Sequence, residues 1–193
     1  MAEKGDSTRA RILDEAMRIA SRDGLEGLSI GALAAALPMS KSGLFAHFGS
    51  KSALQVATLE HAAQTVRERA APGARLAPGP ERLTFILQTA MAWIDDPGLP
   101  GGCPITGACV EFDDQEGPVR ETLLRLQRDS QRKAAESFAG FAHPSQDPDQ
   151  LAFEFRAITL AYHHASRLLR EERAGDWARK ALEALIARAQ RPA

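Results

Sequence analysis

The chain has 193 residues, 44% of them hydrophobic and 25% charged, the balance of a globular protein, which excludes wholesale disorder. Its formal net charge is −1, so contact with a polyanion must come from a local patch and not from a basic body. Two cysteines exclude a disulfide framework and a cysteine-only zinc site, and no apolar run approaches the roughly 20 residues that cross a bilayer.

With 35 alanines against four valines, eight isoleucines and eight threonines, the composition favours helix over strand. Prolines cluster at 72–80, 97–104, 118 and 144–148, and the stretches between them have helical period. A first helix is expected to start at Asp6–Thr8, where three N-cap residues stand in a row, and to end at Asp23-Gly24. Ser29 caps a short helix over Ile30–Leu37, and Pro38 pushes Leu37 towards extended geometry. Ser40 caps a second short helix, and Ser50 a long one from Lys51 to Ala70.

Beyond residue 72 further helices are expected over Glu81–Asp95, Cys103–Phe112, Pro118–Phe141, Pro148–Arg170 and Asp176–Gln190. The Pro148–Arg170 segment has one apolar stripe through Leu151, Phe155, Ile158, Tyr162, Ala165 and Leu169, and a second through Phe153, Ala157, Leu160 and Leu168. A helix apolar on two sides needs two neighbours. The fold class is therefore all-α, with about nine helices.

Two short helices joined by three residues and braced by a longer one form a helix-turn-helix unit, over residues 29–48. Neither is stable alone, so Ile30, Leu33, Leu37, Leu44 and Phe48 have to pack onto Ile12, Ala16 and Ile19. Small polar residues opening the second short helix suit the major groove of double-stranded DNA, although plain scaffolding uses the same element pair. Lys41 and Ser42 lie in its first turn; Lys41 is placed to donate to guanine or to a phosphate, or else is a solvated lysine. Gly43 allows close backbone approach. Lys51 and Ser29 stand at helix N-termini, which attract phosphate. His47 reads as a turn or backbone residue, because no second metal ligand stands near it.

Arg11-Ile12-Leu13-Asp14-Glu15-Ala16, Gly24-Leu25 and Leu28-Ser29-Ile30 resemble the opening of the TetR family of bacterial transcriptional repressors. Ser40-Lys41-Ser42-Gly43-Leu44-Phe45-Ala46-His47-Phe48-Gly49-Ser50-Lys51 is similar to that family's recognition helix and the turn after it. The resemblance implies a DNA-binding domain at 6–66 and a larger helical ligand-binding and dimerisation domain at 78–191. It also implies a homodimer on a palindromic operator, released by a small-molecule effector whose identity the sequence does not give. On this reading Lys41, Ser42 and Gly43 meet the major groove, with Ser29, Phe45, His47 and Lys51 at the backbone, and the cap Ser40 belongs to the same DNA-binding set. Two residues depart from the family pattern. Pro38 replaces the common turn glycine, so the turn has to use another geometry, and Phe45 replaces a tyrosine and loses a hydroxyl that reaches phosphate.

For the effector pocket the candidates are Trp93, Cys103, Phe112, Phe138, Tyr162 and His163; for the dimer interface, Leu151, Phe155, Tyr162, Leu182, Leu185 and Ile186. Cys103, at a helix N-terminus, reads as a redox or electrophile sensor, or else Cys103 and Cys109 are two small buried apolar residues. His163 and His164 point about 100° apart on a helix, so they do not chelate one metal easily. The other readings are an enzyme using Cys103 or His163/His164, and a helical adaptor for protein partners. No nucleophile–base set, phosphate loop or metal spacing supports the enzyme, and no cofactor or metal is expected. A chain opening Met-Ala-Glu-Lys-Gly-Asp has no signal-peptide core, so a cytoplasmic location without membrane contact is expected.

Overall fold

The computed structural model describes the backbone from Ala2 to Ala193 and the side chains from Thr8 onward. Among the described residues there are nine α-helices and no strand. They are α1 (Ala2–Asp23), α2 (Ile30–Ala36), α3 (Lys41–Phe48), α4 (Lys51–Ala70), α5 (Pro80–Ile94), α6 (Pro104–Glu111), α7 (Pro118–Ala139), α8 (Pro148–His163) and α9 (Ala174–Ala189). The backbone is already helical at 6–8, so the expected cap there is displaced; the side chains of Asp6 and Ser7 lie outside the described residues.

By packing, the chain divides into two compact units that interleave in sequence. The first comprises residues 1–65 and 96–125, the second 66–95 and 126–193. The division expected from sequence, at 6–66 and 78–191, is one of functions; residues 96–125 nonetheless pack with the N-terminal helices.

In the first unit, Ile12, Ala16 and Ile19 of α1, Leu33 of α2, and Leu44 and Phe48 of α3 are buried, whereas Ile30 and Leu37 are only half-buried. Each fully buried aliphatic side chain contributes about 1.5–3 kcal/mol, which stabilises two helices too short to persist alone. Leu25, Leu28, Leu54, Leu59, Leu99 and Phe112 extend this core. In the second unit Leu83, Leu87, Phe138, Leu151, Phe155, Leu182 and Leu185 are buried, and the Phe138 ring meets Phe155 edge-on at 6.4 Å.

The last two helices depart most from the sequence reading. α8 stops at His163 and continues as a π-helical turn, His164–Leu168, after which Arg170 adopts a left-handed φ of 53°. Of the two apolar stripes expected there, the first is buried at Leu151, Phe155 and Tyr162 and half-buried at Ile158 and Ala165, but its last member, Leu169, is exposed. In the second, Phe153, Ala157 and Leu160 are exposed, and Leu168 beyond them is 71% exposed. On α9, Trp177, Ala181 and Ala184 form a second exposed row at i, i+4 and i+7. Among the described residues no helix is long and apolar enough to cross a membrane.

Candidate nucleic-acid interface

Three serine caps set the geometry of the helix-turn-helix. Ser29 Oγ accepts from the Ala32 amide at 3.1 Å, Ser40 Oγ from the Gly43 amide at 3.1 Å, and Ser50 Oγ from the Ala53 amide at 3.1 Å. Each satisfies one amide that a helix start would otherwise leave unpaired. Between α2 and α3, Leu37 is extended (φ −117°, ψ 147°), and its carbonyl accepts from the Met39 amide at 2.7 Å. That i→i+2 bond makes a γ-turn centred on Pro38, whose fixed φ suits the inverse form. It is the alternative geometry that the missing glycine requires. α3 ends at Gly49 in the left-handed region (φ 75°), and the Gly49 amide donates to the Phe45 carbonyl.

On α3, Leu44 and Phe48 face the core, while Lys41, Ser42, Phe45 and Ala46 are exposed. Phe45 keeps 55% of its surface in water, a large exposure for an apolar side chain. Gly43 and His47 are half-buried. A Cβ on Gly43 would stand 3.2 Å from Ser40 Oγ, so the cap itself crowds a side chain there. Lys51, at the start of α4, donates from Nζ to Glu26 at 2.7 Å, with both side chains largely in water. A pair that open to solvent is worth well under 1 kcal/mol and yields readily to a phosphate.

Sequence reading missed the groups that hold this assembly from outside. Arg9 on α1 donates from Nη1 to the His47 carbonyl at 2.9 Å, and its guanidinium stacks 4.7 Å from the Phe48 ring centroid. Gln55 Nε2, buried on α4, donates to the Leu25 carbonyl at 2.9 Å. Glu111 at the end of α6 accepts from the amides of Leu25 and Glu26 at 3.1 and 2.7 Å. None of these contacts has a sequence period, because each joins a side chain to backbone far along the chain.

The pocket candidates are not brought together in one unit: Cys103 and Phe112 pack in the first, Trp93, Phe138, Tyr162 and His163 in the second. Both cysteines are half-buried. An open groove of about 430 Å³ runs between α7 and the start of α8, past Arg128, Arg132 and Asp149, and none of the six candidates lines it. Within the second unit, Trp93 Nε1 and His163 Nε2 are buried with no hydrogen-bond partner. Burial holds the His163 imidazole below its ordinary pKa, with the Arg167 and Arg156 charges acting the same way. The Tyr162 hydroxyl donates to the Asp95 carboxylate, and burial together with that bond pushes its pKa up to about 12.

Of the dimer candidates, Leu151, Phe155, Tyr162, Leu182 and Leu185 are buried in the chain's own core and Ile186 is half-buried; the apolar surface exposed on α8 is the Phe153, Ala157, Leu160 row. Among the described residues no group of three metal-ligating side chains comes together.

Two family models match the chain. Residues 12–58 match the tetR family of bacterial regulatory proteins, and residues 79–182 match the tetracyclin repressor-like C-terminal domain. The chain belongs to the TetR family. This TetR-family protein is a DNA-binding transcriptional regulator and not an enzyme. No curated protein sequence matches it closely enough to name a relative. Solved structures similar to this regulator include a TetR transcriptional regulator from Chloroflexus aurantiacus, 26% identical with a TM-score of 0.82 over 98% of both chains. A TetR-family regulator from Streptomyces coelicolor is 20% identical with a TM-score of 0.83, covering 95% of this chain and 97% of its own. A third is AibR, solved with isovaleryl coenzyme A and operator DNA; it is 22% identical with a TM-score of 0.72, covering 92% of this chain and 98% of its own.

Proposed function

We propose that the chain is a homodimeric repressor that leaves a palindromic operator when a small molecule binds. Residues 6–66 read DNA; residues 78–191 dimerise and take the effector. The observation that carries the reading is α3, whose capped first turn offers Lys41 and Ser42 to solvent while Leu44 and Phe48 anchor its other face. Lys41, Ser42 and Gly43 then meet base edges, with Ser29, Ser40, Phe45, His47 and Lys51 along the backbone. A net charge of −1 leaves this patch to supply the attraction.

The exposed rows on α8 and α9, Phe153, Ala157 and Leu160 with Trp177, Ala181 and Ala184, support self-association through these two helices. Two-fold pairing of the reading helices calls for a near-palindromic site. Support for an effector comes from Trp93 Nε1 and His163 Nε2, which a ligand bearing hydrogen-bonding groups would satisfy. AibR carries both an acyl coenzyme A and operator DNA on a similar fold. Induction requires the effector to bind the DNA-incompetent arrangement more tightly, since equal affinity shifts nothing. Access to the operator places the protein in the cytoplasm.

The test is selection of duplexes from a random DNA library, followed by binding of the recovered duplex as salt is varied. A palindrome with steep salt dependence is expected. Lys41→Ala should lose about 1–3 kcal/mol and relax base preference at one position per half-site. Unchanged affinity and preference would remove Lys41 from the reading surface.

A further inference from the structure

The turn between α1 and α2 is built to receive a carboxylate. Gly24 takes a left-handed φ of 81°, and the next two amides, Leu25 and Glu26, converge on Glu111 with Oε1 at 3.1 Å and Oε2 at 2.7 Å. Successive amides after a left-handed residue form a nest for an anion. A Cβ on Gly24 would stand 2.9 Å from Glu111 Oε1, so glycine serves the approach as well as the turn. Without that nest, a carboxylate at the C-terminal end of a helix faces the negative end of its dipole.

Two more ties join the same pieces of chain. The Ser21 hydroxyl donates to the Gly102 carbonyl at 2.8 Å and accepts from the Gly101 amide at 3.0 Å. A Cβ on Gly101 would fall 1.6 Å from the Ser21 carbonyl oxygen, so the two backbones touch. The turn held by Glu111 leads directly to Ser29 and the start of α2, and Glu26 itself pairs with Lys51 at the start of α4.

We infer that Glu111, outside the helix-turn-helix and within the stretch matched by the C-terminal family model, is a positioning residue for DNA binding. Its carboxylate fixes the α1–α2 turn and thereby the stance of α2 and α3. The inference rests on the DNA-reading role proposed for α3. Glu111 reaches backbone amides and not the duplex, so its removal costs affinity without removing a phosphate contact.

The probe is the duplex recovered by the unmodified chain. Glu111→Ala should bind it about tenfold more weakly, with the slope of log affinity against log salt unchanged and faster hydrogen exchange at the Leu25 and Glu26 amides. Glu111→Gln keeps the side chain's shape and serves if the alanine variant fails to fold; an intermediate loss is expected. A lower unfolding midpoint with full affinity in the folded variant would show a merely structural role and overturn the inference, as would unchanged amide protection. A Lys41→Ala variant that loses binding beside Glu111 variants that do not would sink this inference alone. An unmodified chain that selects no duplex would sink the reading beneath it and the inference together.

Discussion

Replacing Arg9 tests whether α3 is held from α1. Its guanidinium makes two contacts at the end of α3: a hydrogen bond of 2.9 Å to the His47 carbonyl and a cation–π contact of 4.7 Å with Phe48. A hydrogen bond from a charged donor contributes about 1.5–3 kcal/mol, and a cation–π contact at an exposed site about 0.5–1 kcal/mol. Arg9 is half-buried and water replaces part of both, so Arg9→Ala should cost about 2 kcal/mol. Arg9→Lys retains the charge and most of the stem but loses the flat plate that lies on the ring, and should cost about half as much. Denaturant unfolding followed by far-ultraviolet circular dichroism reads the difference as a change in midpoint at constant slope. Operator affinity should fall in the same order, because an eight-residue α3 has little stability of its own. If lysine matched arginine in both assays, stacking and fork geometry would be irrelevant. An alanine variant within about 0.5 kcal/mol of the parent would refute the clamp itself.

Sedimentation separates the two apolar rows of α8. Leu160→Asp should give folded monomers, whereas Leu185→Asp, buried in the core, should lower stability by several kcal/mol before it reports on assembly; a dimeric Leu160→Asp would move the interface elsewhere. Stability should also depend on His163 in acid. Burial lowers its folded pKa below the ordinary 6.5, so the unfolded chain takes up the proton first and stability falls as pH drops below about 6.5. His163→Gln should flatten that limb while leaving the separate fall below about pH 4.5, where Asp129 and Glu154 lose their pairing. An unaltered acid limb would mean that His163 is not the group responsible.

The local chemistry of the reading head was legible in the sequence. Ser29, Ser40 and Ser50 cap helices because a hydroxyl and an amide two or three residues on decide the matter between them. The burial of Leu33, Leu44 and Phe48, and of Ile12, Ala16 and Ile19 on α1, followed from helical period and from the instability of short helices. The choice between the two stripes on α8 was not legible, because both have the right period and the packing of α5, α9 and Phe138 of α7 selects Leu151 and Phe155 over Phe153 and Leu160. Neither was the π-turn after His163, whose hydrogen bonds shift by one residue without any proline or glycine to announce it. Arg9, Ser21 and Glu111 were invisible for a simpler reason. Polar residues on exposed helical faces read as solubility until the backbone that they reach is known.

The packing of residues 96–125 with the first 65 residues bears on how such regulators can be engineered. A cassette cut after residue 66 and grafted to another member's effector body would leave Ser21 and the Gly24 turn facing a stranger's loop. Portability would then require that the donor bring both stretches, or that the recipient already supply an acid where Glu111 stands and a glycine where Gly101 stands.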